Sequence, residues 1–267
     1  MNKVLVVNDL TTLCNCSLNV IIPILRDLNV NGYPIVTGIY SKPKNLAGVK
    51  VTDCTEIVME TISSLGENNK FDGILTGFML NSIQVDKINK FLDSRKFKNV
   101  MIDPVMGDDG YVFSCFNKEY ICYMQRLISK STIITPNLTE LCLLCDVEYS
   151  KIINLKTNQL LYLIEEMSKN MNTKVITTGI KENDSRLLTT IYDNSFDVIS
   201  NEKIGDRVVG TGDIFSAIVF GKIVNGCDIK EAVSYATSYI SNLIKANIYE
   251  NTYDNSYGLT LKKVKCY

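Results

Sequence analysis

Asp213 stands in the stretch VVGTGDIFSA, Val208 to Ala217, where two glycines flank a threonine and a carboxylate heads an apolar run. Gly210, Thr211 and Gly212 leave backbone N–H groups uncovered at a helix start, and with the helix dipole these form a site for an anion. A carboxylate beside such an anion is repelled unless it has work to do. It can take a proton from an attacking hydroxyl while the amides hold phosphoryl oxygens. The simpler alternative is a helix cap, Gly for the turn and Asp for the dipole. The stretch alone leaves both open. Two other phosphate motifs are excluded: GTGDIF lacks the third glycine of GxGxxG and precedes a late helix, and no GxxxxGK occurs.

Three further clusters carry similar residue types. In DPVMGDDG (103–110), Asp103 ends a buried apolar run, and Asp108 and Asp109 follow on a glycine-flanked loop. Carboxylates this close invite Mg²⁺, which takes one or two of them together with phosphate oxygens. A turn explains the same residues, and Asp109 is assigned to the turn. In TPNLTE (135–140), Asn137 and Glu140 are spaced as a capping box. In VITTG (175–179), the hydroxyls of Thr177 and Thr178 stand where a strand is expected to end and could reach a nucleotide phosphate; a plain strand-to-turn transition explains them equally well. Taken together, Asp103, Asp108, Asn137, Glu140, Thr178 and Asp213 fall at the ends of successive expected strands. That predicts one acidic, amide-lined rim suited to a Mg²⁺-nucleotide.

The elements that must position these residues alternate along the whole chain. KVLVVND, YPIVTGIYS, FDGILTG, KNVMID, STIITPN and KVITTG read as strands. Helices are expected over SLNVIIPILRDL (with Pro23 inside it), CTEIVMETISSL (Ile57, Val58, Ile62 and Leu65 inward), QVDKINKFLDS, NLTELCLLCD and TNQLLYLIEEMSKNM. LLTTIYD and SFDVIS suggest a hairpin turning at DNS. Two helices follow, TGDIFSAIVFGKIVNG stopped by Gly226, and DIKEAVSYATSYISNLIKA capped by Asp228. The pattern predicts an α/β fold with a mainly parallel central sheet, helices on both faces and no separate lid domain, formed by residues 1–267 as a single domain. In such sheets ligands bind beyond the carboxyl ends of the strands.

Composition narrows the chemistry further. The chain has 267 residues and no histidine, which excludes Ser-His-Asp and Cys-His nucleophile systems and leaves proton transfer to Asp, Glu, Lys, Tyr or Cys. A formal net charge of −1 gives no reason to expect nucleic acid or an anionic membrane as partner, and the basic tail LKKVKCY reads as a solvated terminus. Nine scattered cysteines, with no signal peptide ahead of Val4, suggest reduced thiols and a cytoplasmic location. Cys142 and Cys145 form a CxxC without the partners a zinc site needs and are expected on buried helix faces; Cys14 and Cys16 carry no metal expectation either.

The order DPVMGDDG, TPNLTE, VITTG, VGTGD resembles the ribokinase-like superfamily, and within it the pyridoxal (vitamin B6) kinases. NDLTTLCNCSLNVIIPIL (8–25) and the strand ending TGIYS (37–41) are similar to that family's vitamin-binding side. The resemblance covers nearly the whole chain. It implies ATP-dependent phosphorylation of the 5′-hydroxymethyl group of pyridoxal, pyridoxine or pyridoxamine. Asp213 would be the base, with Gly210, Thr211 and Gly212 as the anion hole for the γ-phosphoryl group. Asp103 and Glu140 would stand on the metal side, and Asp108, Thr135, Asn137, Glu140, Thr177 and Thr178 around the ATP phosphates. On the vitamin side it implies Asp9 for the ring's polar substituents and Phe78 as an aromatic wall, with Ser41 and Lys44 on a covering flap. Asp9 stands where the family often has serine, and Phe78 where it commonly has tyrosine. A carboxylate at position 9 could pair with an amine or a ring N–H, which suggests a preference for pyridoxamine. The resemblance further implies Mg²⁺, a monovalent cation as an additional requirement to test, and a homodimer. The alternatives are hydroxymethylpyrimidine kinase of thiamine synthesis, whose glycine-rich first loop has no counterpart before Gly32, and a non-catalytic B6- or nucleotide-binding protein of the same fold.

Overall fold

The computed structural model describes residues 1–44, 46–66, 70–205, 208–252, 254 and 256–263; Lys265 of the basic tail lies outside them. The chain opens with β1 (Asn2–Thr11), α1 (Leu18–Asp27), β2 (Val30–Tyr40), β3 (Val51–Asp53), α2 (Thr55–Ser64), β4 (Gly73–Thr76) and α3 (Ser82–Ser94). It continues through β5 (Asn99–Ile102), β6 (Gly107–Asp108), β7 (Tyr111–Val112), α4 (Lys118–Ile128), β8 (Ile133–Ile134), α5 (Leu138–Leu144) and α6 (Tyr149–Ile152). The last third holds α7 (Thr157–Lys169), β9 (Lys174–Asn183), β10 (Arg186–Tyr192), β11 (Phe196–Glu202), α8 (Thr211–Val224) and α9 (Ile229–Tyr249).

Nine strands form one sheet in the order β11-β10-β9-β8-β5-β4-β1-β2-β3. The six from β9 to β2 run parallel, so their carboxyl ends share one edge. Antiparallel strands close the sheet at both sides, β3 on β2 and the β10–β11 hairpin on β9. Strand periodicity divides the core. Val4 and Val6 face α1, α8 and α9, whereas Leu5 and Val7 face the layer containing α2, α3, α4, α5 and α7. The same alternation places Ile74 opposite Leu75 and Ile102 opposite Met101. Parallel strands buried on both faces are accordingly apolar at consecutive positions.

Helix α8 is buried from Ile214 to Gly221 and lies between α1 and α9. At Gly221 a Cβ would come within 2.7 Å of Leu28, which fixes how closely α1 approaches it. The helix ends as the sequence predicts, at Asn225 with Gly226 in the left-handed region (φ 90°). Asp228 caps α9, its carboxylate accepting from the N–H groups of Lys230 and Glu231. The β10–β11 hairpin turns at Asn194, as expected from DNS.

Several expectations need correction. Ile57 is 58% exposed, because the inward face of α2 runs through Val58 and Ile62 to Leu65 just past its end. Strand β9 does not end at Thr177–Gly179. It continues to Asn183 as the partner of β10, because an antiparallel hairpin can extend where a parallel neighbour stops. Cys145 is half-buried at the end of α5 rather than on its buried face. The structure also adds α4, α6 and β3, none of which was expected. No helix among the described residues is long and apolar enough to cross a membrane.

Candidate active site

The parallel strand ends bring Asn8 and Asp9 (β1), Tyr40 (β2), Thr76 to Phe78 (β4), Asp103 (β5) and Thr135 (β8) to the edge where α8 begins. Gly210 caps α8 with φ 85°, and a Cβ there would lie 2.4 Å from the carbonyl oxygen of Asn15, so glycine is required twice over. The first intrahelical bond of α8 runs from Ile214 N–H to Gly210 O, which leaves the preceding amides pointing out of the helix end. Beyond the helix backbone and its chain neighbours, nothing lies within 4 Å of where a Cβ would stand at Gly212. A helix end of this kind can receive an anion.

Asp213 does not cap its own helix in the usual way. Its Oδ2 accepts from the Ser17 backbone N–H at 2.8 Å and its Oδ1 from Asn8 Nδ2 at 3.1 Å, both donors coming from the other end of the sequence. Burial pushes its carboxyl up to about 6, with the Ser17 N–H pulling the other way, Asp9 adding to the rise and Lys44 and Asn8 opposing it. Such a group is charged at neutral pH and near enough to its titration point to exchange a proton.

Asp103 accepts from Ser216 Oγ at 2.8 Å, and Ser216 in turn lies 3.3 Å from Thr135 Oγ1. Ser216 follows Asp213 by three residues on α8, so one helical face presents both toward the rim. Burial raises the Asp103 carboxyl to about 7, and the charge of Asp213 adds to the rise. Glu140 is only 4% exposed. Its two oxygens accept from Met106 N–H (3.1 Å) and Asn137 N–H (2.8 Å), while Asn137 accepts from Glu140 N–H and donates to Gly107 O. The Glu140 carboxyl is held well above its ordinary range, first by burial and then by Asp103. The charge of Asp213 thus raises Asp103, that of Asp103 raises Glu140, and Asp213 itself is raised by Asp9. That electrostatic situation suits a cation.

Among the described residues no group of three or more Cys, Asp and Glu converges as a metal cage. Mg²⁺ needs fewer, since phosphate oxygens and water complete its shell. Asp103 fits such a role. Glu140 as a direct ligand does not, because it is buried and engaged by backbone N–H groups; it fixes the loop that carries Asp103.

The other nucleotide-side residues divide. Thr178 is half-buried on the rim, its N–H donating to Pro136 O beside Asn137. Thr177 is 0% exposed with an unpartnered hydroxyl inside the sheet, so strand alternation removes it from the rim. Thr135 is buried and turned to Ser216, and the side chain of Asn137 is spent on the capping box and on Gly107; both support the rim from behind. Asp108 is half-buried in the β6–β7 ribbon, and Asp109 with Gly110 makes its turn, both at positive φ.

The residues that the resemblance put on the vitamin side form a small charged cage. Asp9 is 0% exposed and accepts from Thr11 Oγ1 (2.8 Å), Ser17 Oγ (2.8 Å) and Lys44 Nζ (3.1 Å). The Lys44 ammonium lies 3.5 Å from the centroid of the Phe78 ring and 4.6 Å from that of Tyr40. Phe78 meets Tyr40 edge-on at 6.0 Å and leans on Phe116, which stacks on Tyr120. Phe78 is buried in this aromatic cluster, with the Lys44 ammonium over its ring. Ser41 does not join it: exposed at the base of the flap, its hydroxyl accepts from Lys50 N–H and closes the loop.

Asn8, Ser17, Thr11, Tyr40 and Ser216 escaped the sequence analysis. The serine three residues past Asp213 was a usable signal; the contacts of Asn8 and Ser17 with Asp213 span about two hundred residues and left none. Cys14 and Cys16 lie buried near Asp213, where the hydrogen bond between the two thiols, then burial and the Asp213 charge, push the Cys16 thiol up. Burial likewise holds Cys142 up at about 12 and Cys145 at about 11.

A family model for phosphomethylpyrimidine kinase matches residues 22–257. Pyridoxine kinase of Bacillus subtilis (strain 168) is 25% identical over 185 residues, which cover 67% of this chain and 66% of that protein. Hydroxymethylpyrimidine/phosphomethylpyrimidine kinase of the same organism is 24% identical over 216 residues, 79% of this chain and 77% of the other. A crystal structure from Bacteroides thetaiotaomicron VPI-5482, provisionally described as a phosphomethylpyrimidine kinase and obtained with pyridoxal, superposes with a TM-score of 0.87 at 27% identity, covering 97% of this chain and 92% of the other.

Proposed function

The chain belongs to the phosphomethylpyrimidine kinase family, and from that premise we propose that it phosphorylates the 5′-hydroxymethyl group of a B6 vitamer with ATP. The observation that carries this reading is the Asp213 carboxylate, held by Asn8 and Ser17 beside the open amides of Gly210–Gly212. Those amides would receive the γ-phosphoryl oxygens. Asp213 would accept the proton of the ring's hydroxymethyl group as its oxygen bonds to the γ-phosphorus and the bond to the ADP oxygen breaks. A positioned base contributes about 10²–10⁴-fold, and alignment supplies much of the rest. Asp103 would hold Mg²⁺, which when bound neutralises charge on the phosphates. Thr178, beside Asn137, and Asp108, in the β6–β7 ribbon, would meet the nucleotide.

On the other side, Phe78 and Tyr40, whose rings Lys44 covers, would flank a flat heteroaromatic substrate once that lysine moves aside, and Asp9 would meet a ring N–H or an amine with its buried carboxylate. Lys44 already satisfies Asp9, so a cationic substrate group must take over that contact. This supports a pyridoxamine preference once the flap opens. Both Bacillus relatives are named for hydroxymethyl heterocycles, and the Bacteroides structure contains pyridoxal. A hydroxymethylpyrimidine substrate is the second reading, favoured by the family model. The test is turnover of pyridoxal, pyridoxine, pyridoxamine and hydroxymethylpyrimidine with Mg-ATP, read as phosphorylated product by mass. B6 phosphates are the expected product; product from the pyrimidine alone would transfer the assignment to it.

A further inference from the structure

Asn8 ends the regular part of β1, where the register against β2 slips between Asn8 and Leu10, and its side chain is 1% exposed. Its carbonyl oxygen accepts two backbone N–H groups, from Asp9 at 2.8 Å and from Phe78 at 3.1 Å. These two donors settle which way the amide points, because only oxygen can accept them. The nitrogen is thereby turned to Asp213, 3.1 Å from Oδ1. Gly77 makes room for it: a Cβ at that position would come within 2.5 Å of Asn8 Nδ2. One amide therefore ties the ends of β1 and β4 to the head of α8.

We propose that Asn8 is a positioning residue for phosphoryl transfer, aiming the Asp213 carboxylate and locking it in register with the substrate wall. This rests on the reading of Asp213 as the base. The carboxylate is held by one donor on each oxygen, Asn8 from the strand and Ser17 from the loop before α1. Removing one donor lets it rotate about its last bond, and a base displaced by even a small fraction of its reach loses the alignment on which the reaction depends. The same amide also orients Phe78 N–H and Asp9 N–H, so the base and the ring-binding wall cannot shift independently.

Asn8→Asp isolates the contact. It has the same shape and keeps an acceptor for Asp9 and Phe78, but it replaces the donor facing Asp213 with an oxygen. Its kcat should fall roughly 10–100-fold, while KM for the vitamer and for Mg-ATP stays within about threefold. Asn8→Ala, which adds no charge, should lower kcat as far, and because it also frees the Asp9 and Phe78 N–H groups its KM for the vitamer should rise as well. The decisive arm is a cycle with Asp213→Asn, followed by single turnover at high enzyme concentration. If Asn8 acts through Asp213, neither Asn8 variant should lower the residual rate of Asp213→Asn by more than about twofold.

Equal losses in both backgrounds, or an Asn8→Asp enzyme with wild-type kcat, would overturn the proposal. An Asp213→Asn enzyme that keeps near-wild-type turnover would instead sink the base assignment itself, and is recognisable before any Asn8 variant is made. Should Asn8→Ala melt early or fail to fold, Asn8→Asp carries the test alone, since it preserves both backbone contacts.

Discussion

The two halves of the rim, one proposed for the nucleotide and the other for the substrate, are built on different principles. On the nucleotide side, position is set by backbone: Gly210 at φ 85° against Asn15 O, the capping box of Asn137 and Glu140, and a ribbon turned by Asp109 and Gly110. On the substrate side it is set by side chains from separate elements, with Asp9 from β1, Lys44 from the flap and Phe78 from the end of β4. Phosphate is the same in every kinase reaction of this kind, so a rigid amide cradle suffices for it. A ring with variable substituents needs contacts that can be exchanged. Changes in the first half should therefore strike turnover of every substrate alike, and changes in the second should alter the ratio between substrates.

The strongest challenge to that contrast is Asp103→Ala. It should lower turnover of all vitamers by about 10²–10³-fold and raise the Mg²⁺ concentration needed for half-maximal rate; a vitamer-selective loss would break the division. Next comes Gly210→Ala. A left-handed conformation and a 2.4 Å approach to Asn15 O should cost about 2–4 kcal/mol, seen as a melting temperature lowered by roughly 5–10 °C. A variant melting with the wild type would mean the cradle is not rigid.

On the substrate side the expected effects are smaller and opposite in sign. Lys44→Ala leaves Asp9 without its ammonium, so the kcat/KM ratio of pyridoxamine to pyridoxal should rise roughly tenfold, and Asp9→Ser should lower it by a similar factor. If both variants slow all vitamers equally, the cage does not read the substrate.

The smallest effect concerns pH. Asp213 and Asp103 have folded-state values of about 6 and about 7, above the ordinary 3.8 of an unfolded aspartate. The folded protein then binds protons more tightly than the unfolded chain between those limits. The contribution of these groups to stability is present in full below the unfolded value and is lost as pH rises toward 6 and 7. Without Mg²⁺, melting temperature should rise by a few degrees as pH is lowered from 7.5 to 5.5, and added Mg-ATP should narrow the difference. Turnover has the reverse sign: it should fall as pH drops through about 6 and Asp213 is protonated.

The nucleotide side was also the half legible in the sequence, for the same reason. Glycines that backbone geometry demands, and caps spaced three residues apart, are local facts. GTGD and the pairing of Asn137 with Glu140 could be read directly. What local reading could not decide was which of two adjacent side chains faces the rim: Thr177 and Thr178 look alike until the sheet fixes their phase. Helix α4 was missed although Tyr120, Met124, Leu127 and Ile128 share its buried face, because tyrosine and cysteine in KEYICYMQRLI do not declare a side. Strand β3 is three exposed residues with no periodicity to find. Asn8 and Ser17 reach Asp213 only through the folded sheet, so no spacing in the chain announced them. The resemblance put Lys44 on a flap and Asp9 on the vitamin side, but it gave no sign of the contact between them.

The most direct test of the account compares wild type with Asp213→Asn, measuring pyridoxal turnover with Mg-ATP alongside ATP binding on the same preparations. The account predicts a loss of about 10²–10⁴-fold in turnover with ATP affinity little changed. Turnover within tenfold of wild type would show that Asp213 only caps α8 and that the proton is taken elsewhere.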